Sequence, residues 1–132
     1  FLQGPWSARL ACVRQDGTPH VLPLWYEWDG RSFWFAASPG AQWKQVVGES
    51  GHVSLTIDEP WPPLRRVFVV GQAKVVQASE LPGGLAGLRQ RLAVRYLGQG
   101  AGQQPELCQI DGWHAVEITP QRISGQQGLG RA

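Results

Sequence analysis

"SFWFAASPGAQWKQVV", residues 32–47, sets an apolar run directly against a helix start, with no polar spacer between them. Ser38 suits a helix N-cap. Pro39 suits the first helical position, where its missing N–H costs nothing. Gly40 has no side chain to shield the next backbone N–H, and Lys44 lies one turn further in. The stretch predicts a strand that runs straight into a helix over about 40–48. A bare, positive helix end suits an anion, often a phosphate. It is also a common way to begin a helix, and these residues alone leave both readings open.

Working outward, "SARLACVR" (7–14) and "PHVLPLWYEW" (19–28) are strand candidates joined by Asp16-Gly17. Asp-Gly between apolar runs is a strong hairpin signal. In 19–28, Val21, Pro23 and Trp25 share one face, and Leu22, Leu24 and Tyr26 share the other. Both faces are apolar, so both call for cover. Pro23 cannot donate to a ladder and belongs at an edge or bulge. Asp29-Gly30 then turns the chain into 31–37. Beyond the helix, "HVSLTID" (52–58) is a strand, "EPWPP" (59–63) a stiff loop and "LRRVFVVGQAKVV" (64–76) a long strand with a bulge or kink at Gly71. Leu85, Leu88, Leu92 and Tyr96 keep helical spacing over 84–98. "GWHAVEITPQRIS" (112–124) is a closing strand, ended or bent at Pro120, and 125–132 reads as a loose tail. No internal repeat is present. These elements predict one domain over 1–132: a small, mainly β barrel with flanking helices. Strands apolar on both sides call for a second subunit outside it.

Composition narrows the function. The chain has 132 residues, 17% charged and 42% hydrophobic, so it is globular rather than disordered. A net charge of +2, with no run of Lys or Arg beyond two, excludes nucleic acid as an expected partner. No apolar stretch reaches the length of a membrane-spanning helix. Two cysteines, Cys12 and Cys108, make no metal or redox motif, and a reduced, cytoplasmic setting is expected. Seven tryptophans are a surplus that points to interfaces and flat ligands.

No motif for catalysis stands out. His20, His52 and His114 lack metal-ligand spacing. Hydrolase elbow, dinucleotide and Walker glycine patterns are absent. Asp58 and Glu59 read as loop-capping residues, and Tyr26 and Tyr96 as packed rings with satisfied hydroxyls. Arg65 and Arg66 open the long strand and point to opposite faces, so at most one of them serves a given site.

Taken in order, the Asp-Gly-x-Pro entry to the second strand, "FAASPGAQWKQ", "VSLTID" and "RRVFVVGQAKV" resemble the pyridoxamine 5'-phosphate oxidase-like superfamily. These are the flavin- and deazaflavin-binding split β-barrels. The resemblance spans about residues 7–77, and 112–124 is similar to the family's closing strand. It implies a homodimer with cofactor at the interface, acting on a small-molecule substrate. The ring would lie against Leu22, Pro23, Leu24 and Trp25, and the phosphate at Ala36, Ala37, Ser38, Gln42, Trp43 and Lys44. Arg66 and Trp113 complete the implied set. No side chain is assigned as catalytic and none as a metal ligand. The chain departs from the family where Leu22 and Glu27 replace an Arg and a Lys. Gln42 and Trp43 replace an Arg-Lys pair, and Arg66 replaces a Gln. Lys44, Arg66 and the helix end are the expected substitutes for the lost cations. The expected cofactor is FMN or a deazaflavin (coenzyme F420), ahead of haem. The alternative is a non-catalytic flavin- or haem-binding barrel.

Overall fold

Both Asp-Gly pairs reverse the chain through the same chemistry. Asp16 accepts from the Thr18 N–H and hydroxyl at 3.0 and 2.6 Å. Asp29 accepts from the Arg31 and Ser32 N–H groups at 2.8 and 2.7 Å. Gly17 and Gly30 supply the positive φ that such turns need. The first turn joins β1 (Ala8–Val13) to β2 (Pro19–Leu24), and the second joins β3 (Glu27–Trp28) to β4 (Phe33–Ala37). The computed structural model describes residues 1–77, 79 and 81–129.

Helix α1 (Gln42–Ser50) follows β4, then β5 (His52–Asp58) and β6 (Arg66–Val76). Helix α2 (Gly84–Leu97), a 3₁₀ turn (Gln99–Gln103) and the short α3 (Pro105–Cys108) lead to β7 (His114–Gln126). The strands form one antiparallel sheet in the order β2-β1-β5-β6-β7-β4-β3, which leaves β2 and β3 as its two edges. Curled into a split barrel, the sheet encloses Leu10, Tyr26, Phe33, Phe35, Leu55, Ile57, Val116 and Ile118. Trp43 and Val47 of α1 plug this core. A second cluster, Trp34, Leu88, Leu92 and Ala115, lies outside the sheet under α2. No helix among the described residues is long and apolar enough to cross a membrane.

The expected elements differ from the structure in four places. The single strand over 19–28 is two, because its halves serve opposite sheet edges. The chain crosses the split at Trp25–Tyr26, where Tyr26 turns its ring into the core. The helix begins at Gln42 with Ala41 as N-cap, so Ser38 does not cap it. Instead the Ala41 N–H bonds the Ser38 carbonyl at 3.0 Å, with Gly40 at φ +77°. Pro followed by a positive-φ Gly is a type II turn. Pro120 does not end β7. The expected bulge lies at Val70/Gly71, where Gly71 pairs with Pro120 and Val70 with Arg122, and the strand continues to Gln126. Thus 125 and 126 belong to the sheet rather than to a tail, and 130–132 lie outside the described residues.

Candidate cofactor site

The split between the sheet edges leaves a cleft of about 300 Å³, lined by Ser7, Pro23, Leu24, Trp25, Ala36 and Leu92. Three of the four expected ring-contact residues therefore meet Ala36 across the gap. The fourth, Leu22, packs toward the barrel core. The side chains lining it are apolar apart from Ser7, with a tryptophan on one side and the small Ala36 on another. β2, as an edge strand, pairs on one side only and leaves alternate main-chain groups open along the other.

Trp25 does not stand alone. Its ring lies flat on Tyr96 of α2, with centroids 4.9 Å apart and planes 4° from parallel. The Tyr96 hydroxyl accepts the Tyr26 N–H at 3.2 Å and donates to the Trp6 carbonyl at 2.7 Å. The Tyr26 hydroxyl donates to the Leu2 carbonyl at 2.8 Å. Burial pushes the Tyr26 hydroxyl up to about 12 and raises Tyr96 as well. Both phenols are thus held as neutral structural donors. The Arg95 guanidinium sits 4.6 Å from the Tyr26 ring centroid and donates to the Leu2 and Gly4 carbonyls. Residues 1–6 are strapped to this corner of the barrel.

Two residues beyond Ala36, about 7 Å along an extended chain, the turn at Ser38 begins. No side chain caps α1, and its first turn carries no acid. The opening N–H groups of a helix have no intrahelical partner. Lys44 reaches across to β7, where its ammonium donates to His114 Nδ1 at 3.2 Å. Gly112, at φ +76°, brings the start of β7 against Pro39, where an added Cβ would meet the proline ring at 3.0 Å. Beside it, Trp113 and His114 line a second cleft of about 380 Å³ under the start of α2. The Arg89 guanidinium stacks on Trp113, 3.5 Å from a ring centroid.

The structure gathers Ala36, Ala37, Ser38, Gln42, Lys44 and Trp113 around this junction but separates two expected members. Trp43 is only 4% exposed, with its ring edge-on to Phe35 in the core, so its side chain faces no ligand there. Arg66 pairs with Gln126 at the far end of β6, whereas Val76 at the other end pairs with Ala115 beside the junction. Ten strand residues separate them, roughly 30 Å. Arg66 donates to the Gly128 carbonyl at 3.0 Å and does not serve this protomer's junction. Glu27, where the family resemblance implies a cation, forms a paired contact with Arg91 of α2 at 2.6 and 3.0 Å. Glu59 caps its loop as expected, accepting from the Arg65 N–H and guanidinium, whereas Asp58 ends β5 and pairs with Arg9 of β1 rather than capping the loop.

Tyr96, Leu92, Ser7 and His114 belong to the site but not to the expected set. Leu92 and Tyr96 had a signal, their helical spacing, which reads equally as core. His114 adjoins Trp113 in sequence, yet its pairing with Lys44 is set by the fold. Among the described residues, no cluster of three or more His, Cys, Asp or Glu side chains could hold a metal ion.

A family model described as pyridoxamine 5'-phosphate oxidase matches residues 1–127. The chain belongs to the pyridoxamine 5'-phosphate oxidase family. Solved structures agree with this family's split barrel. An F420 reductase is 24% identical, with TM-score 0.74, covering 93% of this chain and 92% of that one. The haem storage protein HutZ from Vibrio cholerae is 19% identical, with TM-score 0.70, covering 95% and 89%. An FAD-binding protein from Mesorhizobium loti is 22% identical, with TM-score 0.64, covering 92% and 84%. At these identities the likeness is one of fold. No match was found among curated proteins.

Proposed function

We propose that the chain is a flavin- or deazaflavin-dependent oxidoreductase that acts on a small molecule and holds its cofactor between two copies of itself. The observation that carries this reading is a spacing. The cleft that would take a planar ring ends at Ala36, and the type II turn that leads into the uncapped start of α1 begins at Ser38. A ring and a phosphate joined by a short linker match that arrangement. When bound, the cofactor supplies the hydride chemistry, while the protein binds, orients and excludes water. Trp25 and Leu92 exclude water from the ring, and edge-strand groups near Leu24 and Trp25 offer donors to its polar rim. Lys44 and the first turn of α1 neutralise the phosphate. The FAD-binding and F420 reductase neighbours support a flavin-type cofactor.

A cleft of about 300 Å³ is at the low end for a small-molecule site. A second protomer would complete it. The outer sheet face supports this: Val21, Ala11, Ser54 and Val70 pair across four strands in one row, and Val21 is 62% exposed. A stable dimer of obligate class would bury more than ~2,000 Å² there. Light scattering at micromolar concentration is expected to give twice the chain mass. A stable monomer would remove the shared site.

The visible spectrum of protein mixed with each cofactor tests the main reading. Bound flavin absorbs near ~450 nm and a deazaflavin near ~420 nm, whereas haem gives a sharp Soret band. A haem-binding protein without turnover is the second reading. It is favoured by His114, exposed beside Trp113; ligation through Nε2 would require Lys44 to release Nδ1, because the bond it donates there leaves the ring proton on Nε2. Failure to bind any of the three overturns both.

A further inference from the structure

We propose that Tyr96 is a positioning residue that holds Trp25 upright as a stacking platform for the cofactor's planar ring, a proposal that rests on the cofactor reading above. Trp25 is 41% exposed even though one face is covered by Tyr96. Its open surface therefore belongs to the other face and the edges, and it lines the cleft. A large aromatic side chain on an irregular link between two edge strands has no ladder to fix it. Tyr96 fixes it twice. Its ring lies parallel to the indole at 4.9 Å, and its hydroxyl takes the N–H of the next residue, Tyr26, while bonding the Trp6 carbonyl. Leu92, one turn earlier on α2, lines the same cleft. One helix face thus supplies both the cleft wall and the support behind the tryptophan. A platform ordered before binding removes the rotamer cost of ordering it afterwards.

The test titrates FMN into wild-type, Tyr96→Leu and Tyr96→Phe protein and reads two quantities. These are the dissociation constant and the emission of the bound flavin, which stacking on an indole quenches. Tyr96→Leu removes the ring support. It is expected to raise the dissociation constant roughly three- to tenfold and to restore emission at saturation. Tyr96→Phe keeps the stack and loses the hydroxyl bonds. It is expected to keep the quenching, weaken FMN about threefold and speed amide exchange at Tyr26. Should Tyr96→Leu not fold, Tyr96→Phe carries the test: faster Tyr26 exchange with unchanged FMN affinity overturns the proposal. If wild type quenches FMN and both variants match it in both readouts, the cofactor reading stands and the platform falls. If wild type leaves FMN unbound, the same titrations are made with coenzyme F420; if that too stays unbound, the flavin and deazaflavin reading falls and the platform falls with it.

Discussion

At the ring end of the site, Trp25 rests on Tyr96, whose hydroxyl is bonded on both sides, and Arg95 ties residues 2 and 4 to the same corner. At the phosphate end, Ser38, Pro39, Gly40 and Gln42 are exposed, and one cation, Lys44, reaches across to His114. One end is ordered before any ligand arrives. The other offers main-chain donors and the flexible charge of Lys44. Ligand affinity should therefore come mainly from the ring, with the phosphate as a smaller, salt-sensitive addition.

Trp25→Ala attacks the ordered end and should have the largest effect. Loss of an aromatic contact and its buried area, about 2 kcal/mol, weakens FMN roughly 30-fold by calorimetric titration. Because Trp25 is partly exposed, thermal stability should change little. An unchanged affinity would move the ring elsewhere. Lys44→Ala attacks the open end. It should weaken FMN about tenfold, the magnitude of one charge-assisted hydrogen bond, and leave riboflavin, which has no phosphate, unaffected. Equal losses for both ligands would mean that Lys44 acts through the fold.

Alkaline titration separates the two ends without mutation. The Tyr26 hydroxyl is pushed from 10.0 up to about 12 by burial, and Tyr96 is raised for the same first reason. The unfolded chain releases these protons first. Their stabilising contribution is thus complete below pH 10 and is lost as pH rises toward about 12. Denaturant midpoints measured across that window should fall, and Tyr26→Phe should flatten the fall. A flat wild-type profile would contradict the burial of both phenols. The smallest effect belongs to Ser38→Ala. Ser38 is exposed and does not cap α1, so stability should stay within ~0.5 kcal/mol of wild type by thermal denaturation. A loss of a full cap's worth, about 1 kcal/mol, would show that Ser38 caps the helix after all.

The Asp-Gly hairpins, the strand over 52–58, the α2 spacing and the Gly71 bulge were legible because each depends on residues close in sequence. The strand–helix junction was legible only as a place. Ser38-Pro39-Gly40 satisfies a capped helix start and a type II turn equally well. The choice falls to the turn because α1 must be phased to put Trp43 and Val47 into the core. The same burial removes Trp43 from the expected ligand set. The break in 19–28 was hidden because the run is apolar throughout. It divides only because its halves pair with β1 and β4, at opposite edges of a curled sheet.

Local chemistry in the sequence determined the turns, the order of strands and helices, and the family. Turn geometry, hydrophobic period and motif order are properties of neighbouring residues. Only the tertiary structure decided which side chains meet. Trp25 finds Tyr96, Lys44 finds His114 and Glu27 finds Arg91, while Arg66 is carried away from the junction. Those meetings follow from strand register and from the packing of α2 over the sheet, which are set by long-range burial that no short stretch of sequence contains.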